Sequence, residues 1–357
     1  MLTSTCTAGG TSTELQGIGW HGARKHLGGV LTIGLSEGSV WQGWHKCVGT
    51  LRSYDQGVVQ NYPQRRVLAA ARWGIAHDDF FVDPQRVYSW SQLGCWALRH
   101  GDLFAAVMSN GYGNFAIGKL VQQHGQSGKW GPYPAGSKNF AGVNQWEYMN
   151  VAKFVRENPS VELPYWLCWP VYGAYPAHTI GDFGFMPWPE TFHAMHSTKR
   201  AFAAVWNSNG PGEIGDLRQF ILRVRRDQSL PAFGRCSLDA SPGDGDHADA
   251  EQSGGINLHQ RWDPETIVDE PSRWEMTMYL HEACGAASAT MTVTPRRCQR
   301  FKAKPGTKLA WTLTESGRTV SKGTAVADQW GLATAEGIEL TKQPRRLTIT
   351  ASQADNC

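Results

Sequence analysis

The stretch Arg86-Val87-Tyr88-Ser89-Trp90-Ser91-Gln92-Leu93-Gly94 places two serines where a strand-like run gives way to helix-forming residues. A serine hydroxyl attacks a carbonyl carbon only when a base accepts its proton and a carboxylate orients that base. A sharp strand-to-helix turn assists. It lifts the hydroxyl above the sheet and aims the first N–H groups of the helix at the oxyanion that develops. Such a turn needs small residues two before and two after the nucleophile. Ser91 has Ser89 before it but Leu93 after it, and Gly94 comes one place late, so the text reads SxSxxG. Ser91 is the candidate nucleophile and Ser89 the alternative. The competing reading is a turn kept only for its topology.

Other residues suggest weaker chemistry. Asp239, Asp244, Asp246, Asp249 and Glu251 fall in a Gly-rich run without apolar pattern. Hard carboxylate oxygens at alternating positions suit a structural calcium, although the run lacks EF-hand spacing and reads first as a solvated loop. No other cofactor is expected. His193 and His196 share a helix face as ligands or as a polar surface. Eight cysteines form no CxxC pair; Cys284 and Cys298 could close a hairpin-sized loop, and buried thiols are the equal alternative.

Two flanking segments carry a family likeness. Asp83-Pro84-Gln85-Arg86-Val87-Tyr88 precedes the serines, and Ala97-Leu98-Arg99-His100-Gly101-Asp102-Leu103-Phe104-Ala105-Ala106-Val107 follows them. Both resemble α/β-hydrolase-fold esterases of the polyhydroxyalkanoate-depolymerase and feruloyl-esterase type, with Gly101 in place of a proline and several residues fewer between the segments. The resemblance implies a triad in the order Ser, acid, His. Asp182, in the loop after a strand at 163–171, is the candidate acid. After the strand at 202–206 the resemblance implies Gly-His-Gly, but this chain has Gly210-Pro211-Gly212. The base must therefore come from elsewhere: His247 in the acidic loop, or His178 just ahead of Asp182. Gly9 and Gly10, after an early strand, and Gln92, next to Ser91, are the oxyanion and cleft candidates.

The implied function is a serine hydrolase cleaving carboxylic esters on polysaccharide or polyester substrates. The alternative is a non-catalytic relative that binds carbohydrate or protein through Trp-rich loops. Sixteen tryptophans are present, and Trp41, Trp44, Trp130, Trp166, Trp169 and Trp188 sit near glycine or proline.

The elements that would position these groups follow from periodicity. Strands are expected at 30–35, 87–90, 103–108, 163–171 and 202–206, and helices at 62–76, 93–100, 145–157 and 189–200. Alternation of this kind implies a mostly parallel α/β sheet with flanking helices. After the acidic run come short alternating strands at 274–280, 289–294, 308–313, 323–327 and 346–350, the pattern of a small β-sandwich similar to fibronectin type III. The expected organisation is an α/β-hydrolase-like domain over 1–235, a linker over 236–255 and an accessory sandwich over 256–357. Few residues precede Ser91 for the strands this fold needs there, so its first strands are expected to be missing. On that basis secretion or a periplasmic location is favoured, and a cytoplasmic one if Met1 is the true start. A net charge of +3 with mixed signs gives no electrostatic case for nucleic acid or membrane partners. The expected partner is a small or polymeric ester, and oligomeric state is left open.

Overall fold

The structure, a computed structural model, describes residues 2–6, 31–35, 43–80, 82–90, 94–110, 130–132, 137–169, 189–206, 216–242 and 254–351. In chain order come β1 (Leu2–Cys6), β2 (Leu31–Leu35), the short antiparallel pair β3 (Trp44–His45) and β4 (Val59–Gln60), and helix α1 (Tyr62–Ala76). There follow β5 (Val87–Trp90), α2 (Gly94–Ala97), β6 (Ala106–Asn110), α3 (Gln145–Met149), α4 (Val151–Glu157), β7 (Tyr165–Trp169), α5 (Pro189–Ser197), β8 (Phe202–Trp206) and α6 (Leu217–Ile221). The rest is strand: β9 (Leu230–Gly234), β10 (Gly254–Ile256), β11 (Gln260–Glu270), β12 (Arg273–Leu280), β13 (Ser288–Arg296), β14 (Lys308–Glu315), β15 (Arg318–Val326), β16 (Ala335–Thr341) and β17 (Arg345–Ala351).

Local chemistry accounts for several boundaries. Pro63 starts α1, where its missing N–H costs nothing, and Val67 and Ala71 turn one face inward. The helix expected over 145–157 is split at Asn150. That residue ends α3 through its backbone N–H and begins α4 by accepting the Lys153 N–H on its side-chain oxygen at 2.8 Å.

Seven strands form one sheet in the order β10-β8-β7-β6-β5-β1-β2. All neighbours are parallel except β10, which pairs antiparallel with β8. Because successive side chains alternate faces, the parallel strands feed two separate cores. Val87, Val107, Trp166, Cys168, Phe202 and Ala204 pack with residues of α1 to α5. Tyr88, Ala106, Met108, Tyr165, Leu167, Ala203 and Val205 share a core with the antiparallel strands. Those strands form a five-stranded sheet, β11-β12-β17-β14-β15, and a three-stranded sheet, β16-β13-β9. Their inward positions alternate cleanly, as at Trp274, Met276, Met278 and Leu280 of β12.

This corrects the expected fold class. Strand makes up 38% and helix 19% of the structure, with several antiparallel sheets and one mixed sheet, and it is not a helix-flanked α/β-hydrolase core. The physical reason is the second face. An α/β core covers both faces of its sheet with helices. Here, among the described residues, the short α6 is the one helix contributing to the second core, and β-strands supply the rest of the cover. Trp262 of β11 marks the junction, edge-on to Phe220 of α6 at 4.6 Å and tilted against Tyr165 of β7 at 5.6 Å. β9, which ends one residue before the sequence boundary at 235, is a ladder partner of β13, and β10, which straddles the end of the expected linker, is the partner of β8.

Arginines lock the edge where the parallel strands begin. Arg297, buried just past β13, donates to the carbonyls of Ala105 at 3.0 Å and Leu163 at 2.9 Å, one and two residues ahead of β6 and β7. Arg296 reaches Glu162 at 3.1 Å and the Thr198 and Pro159 carbonyls at 3.3 Å. Arg200 donates to the carbonyls of Val161 and Asn158, and Arg226 to that of Asp102 at 2.7 Å. Asn158 and Thr198 directly follow or lie just past the ends of α4 and α5, where carbonyls lack helical partners and a cation is favourable. Burial pulls the Arg297 guanidinium down to about 10, which still leaves it charged at neutral pH.

Candidate active site

The strand order gives the parallel sheet a topological switch point. From β1 the chain moves outward to β2, then returns to the other side of β1 for β5 and continues through β6, β7 and β8. In open sheets of this type, ligands bind in the crevice beyond the carboxyl ends of the strands where the direction reverses. Here those strands are β1 and β5, paired in register from Leu2↔Val87 to Thr5↔Trp90. Ser91 is the residue after Trp90, and Gly9 is three residues after Cys6.

The described strand ends bound the segments that carry the remaining candidates. β7 ends at Trp169, upstream of His178 and Asp182. β10 begins opposite the last residue of β8, Gly254↔Trp206, so the segment carrying His247 rejoins the sheet at the carboxyl edge. Three strand spacings separate β5 from β8, about 14 Å. The seven residues from His247 to Gly254 can span up to about 23 Å. Ser91, Gln92, Gly9, Gly10, Asp182, His178, His247 and Pro211 themselves lie outside the described residues.

Ser89 is described. It sits within β5, opposite Ser4 and Val107. It is fully buried, and among the described residues its Oγ has no hydrogen-bond partner. A hydroxyl enclosed in the middle of a central strand is closed to substrate.

The two histidines of α5 are placed differently. His193 is exposed. His196 stands edge-on to Phe202 at 4.9 Å, and burial, with His193 nearby, pulls its pKa down to about 4. Among the described residues no group of three His, Cys, Asp or Glu side chains could hold a metal ion. Of the acidic run, Asp244, Asp246, Asp249 and Glu251 lie outside the described residues. Asp239 is described, and it turns inward, accepting the Asn257 N–H at 2.8 Å. Burial raises its carboxyl to about 7. The expected Cys284–Cys298 loop is also corrected. Both are thiols, and they flank the two ends of the extended strand β13. Eight residue steps of strand hold the two ends of β13 about 27 Å apart, and each cysteine lies beyond its own end.

Of the tryptophans singled out in the sequence, Trp130 and Trp166 are core residues and Trp44 is half-buried. Among those of the antiparallel region, Trp262, Trp274 and Trp311 are buried, and Trp330 is exposed. Trp41 and Trp188, and the side chain of Trp169, lie outside the described residues.

One polar cluster escaped the sequence reading. Asn61, at the start of α1, donates to Gln64 at 3.0 Å and to Gln145 at 3.5 Å, and Asn139 donates to Gln145 at 3.4 Å. Nearby, His45 accepts the Cys47 N–H on Nδ1 at 3.0 Å, which puts its ring proton on Nε2, where it has no partner among the described residues. Asn61 and Gln145 are 84 residues apart, and amides at such spacing leave no local signature. Among the described residues no helix is long and apolar enough to cross a membrane.

Compared with known protein families, curated proteins and solved structures, this chain matches none.

Proposed function

We propose that the chain is a serine hydrolase of carboxylic esters, acting on polysaccharide or polyester substrates, with its site at the β1/β5 switch crevice. One observation carries this reading. The strand directly before Ser91 is central in a parallel run and borders the point of reversal, and a helix begins three residues after that serine. The likeness of Asp83 to Val107 to esterases supports the same assignment.

In this mechanism Ser91 Oγ attacks the ester carbonyl and His247 takes its proton. Asp182 holds the imidazole in the required tautomer and stabilises it once charged. Backbone N–H groups at Gly9, Gly10 and Gln92 receive the negative charge of the tetrahedral intermediate. The imidazolium then protonates the departing alcohol, and water attacks the acyl-serine with the same histidine as base. Pro211 cannot accept a proton, so the base comes from another segment at the carboxyl edge. Burial of most of the described tryptophans removes much of the flat exposed surface that the binding-only reading needs.

A fluorophosphonate probe tests the assignment. Folded wild-type protein should be labelled, and Ser91→Ala should abolish labelling while Ser89→Ala retains it. His247→Ala should slow labelling strongly and His178→Ala weakly. No labelling of folded wild-type protein, or labelling that survives Ser91→Ala, rejects the proposal.

A further inference from the structure

Two thiols of the sandwich are stitched into one small region. Cys236 and Cys284 are both buried. Cys236 lies two residues past Gly234, whose ladder partner is Thr292, and the next residue continues alongside β13: the Ser237 N–H reaches the Thr290 carbonyl at 2.9 Å. The chain there runs toward the start of β13, and Cys284 lies four residues ahead of that start. The opposite flank of Cys284 is tied in as well. Gln260 donates to Cys236 Sγ at 2.8 Å and faces Leu280 across β11 and β12. The following His281 N–H bonds the His259 carbonyl at 2.8 Å, and the Cys284 N–H bonds the His281 carbonyl at 2.9 Å. Segments bonded to the Cys236 region therefore hold the 281–290 turn on both sides.

We propose that Cys236 and Cys284 are a dithiol pair that closes to a disulfide by exchange with a small-molecule disulfide. One cysteine thiolate attacks a sulfur of the small disulfide, and a small thiolate leaves. The other cysteine then displaces the second small thiolate. One protein S–S bond forms, the small disulfide is reduced to two thiols, and these take up the two cysteine protons. The bond joins the leading end of β13 to the joint that seats β10. At that joint the Asn257 N–H bonds Asp239 and the Ala240 N–H bonds the Gly255 carbonyl, at 2.8 and 2.9 Å.

Burial, with the Asp239 carboxylate next in effect, lifts the Cys236 thiol to about 12. Exchange is therefore slow in the folded chain, and the test starts from the unfolded one. The full chain, reduced and denatured, is refolded in a buffer of oxidised and reduced glutathione, alkylated, and digested with trypsin without reductant. Cleavage separates the three relevant cysteines into peptides 236–261, 274–296 and 298–300. The expected product is 236–261 joined to 274–296, about 2 Da lighter than the two reduced peptides together, and it persists in Cys298→Ser. Recovery of both peptides singly alkylated, or of 274–296 joined to 298–300, overturns the proposal.

Discussion

The two edges of the parallel sheet are built for different ends. Where the strands begin, the gaps between β5, β6, β7 and β8 are closed by guanidinium groups from Arg200, Arg226, Arg296 and Arg297. Where the strands end, the chain leaves β1, β5 and β7, and re-enters at β10, through the segments that carry the candidate nucleophile, oxyanion donors, acid and base. A buried cation that satisfies several carbonyls fixes geometry and leaves no room for a ligand. On the proposed function, stability and chemistry fall to opposite ends of the same strands.

The sharpest contrast should come from Ser91→Ala against Arg297→Leu. On the proposed mechanism, removing the nucleophile lowers ester hydrolysis by about 10⁴-fold or more, with the thermal midpoint essentially unchanged. Arg297→Leu leaves the carbonyls of Leu163 and Arg225 without this donor and that of Ala105 with only the Tyr165 N–H, and should lower stability by about 1–3 kcal/mol for each carbonyl left unpaired. Turnover per folded molecule should stay near wild type. Denaturant titration and an aryl-ester assay on the same samples separate the two effects. An Arg297 variant that is stable but inactive would erase the distinction between the edges.

The next effect concerns the two faces. Trp166→Ala opens the helix-side core, where the indole stacks near Phe202 and donates to Ser109 at 2.8 Å. Trp262→Ala opens the strand-side core. Each should cost about 3–5 kcal/mol. Because Tyr88, Tyr165 and Trp262 belong to one core, calorimetry should show both variants melting in a single shifted transition. Two transitions, with only one moved by Trp262→Ala, would mean that the antiparallel strands fold apart from the parallel sheet.

The smallest effects are pH signatures of opposite sign. Asp239, raised to about 7 by burial, keeps its proton in the folded chain after the unfolded chain has lost it. Its contribution is therefore full at acid pH and is lost as pH rises from its ordinary value near 4 toward 7. His196, lowered to about 4, stays neutral in the folded chain while the unfolded chain takes up a proton. Its contribution is present above pH 6.5 and is lost as pH falls toward 4. In denaturation at fixed pH steps, Asp239→Asn should flatten the decline seen as pH rises from about 4 to 7 and His196→Gln the decline seen as pH falls from about 6.5 to 4. An exchange of the two effects would contradict the placement of these groups.

Much of the local structure was legible in the sequence, and the global arrangement was not. The expected runs at 87–90, 202–206 and 62–76 coincide with β5, β8 and α1, because each carries a strong apolar period or a proline start. β11 was hidden by Pro264 and by the register shift between Asp263 and Val268, which breaks the alternation. β9, Leu-Pro-Ala-Phe-Gly, contains two residues that ordinarily punctuate strands. Missing both conceals how the antiparallel sheets reach the second face of the parallel sheet, and that cover decides the fold class. Of the surroundings of the candidate site, the strand before Ser91 and the helix after it were visible through short-range residue types. The arginine edge was not, since Arg297 and Ala105 lie 192 residues apart.

The most direct measurement is acid-quenched peptide mapping after incubation with a slowly deacylating aryl ester. Trypsin isolates Val87 to Arg99, and fragmentation within that peptide distinguishes the two serines. The account predicts an acyl group on Ser91, accumulating within the first turnover and disappearing in Ser91→Ala. Hydrolysis by folded protein with no acyl group on Ser91 at any quench time would contradict it.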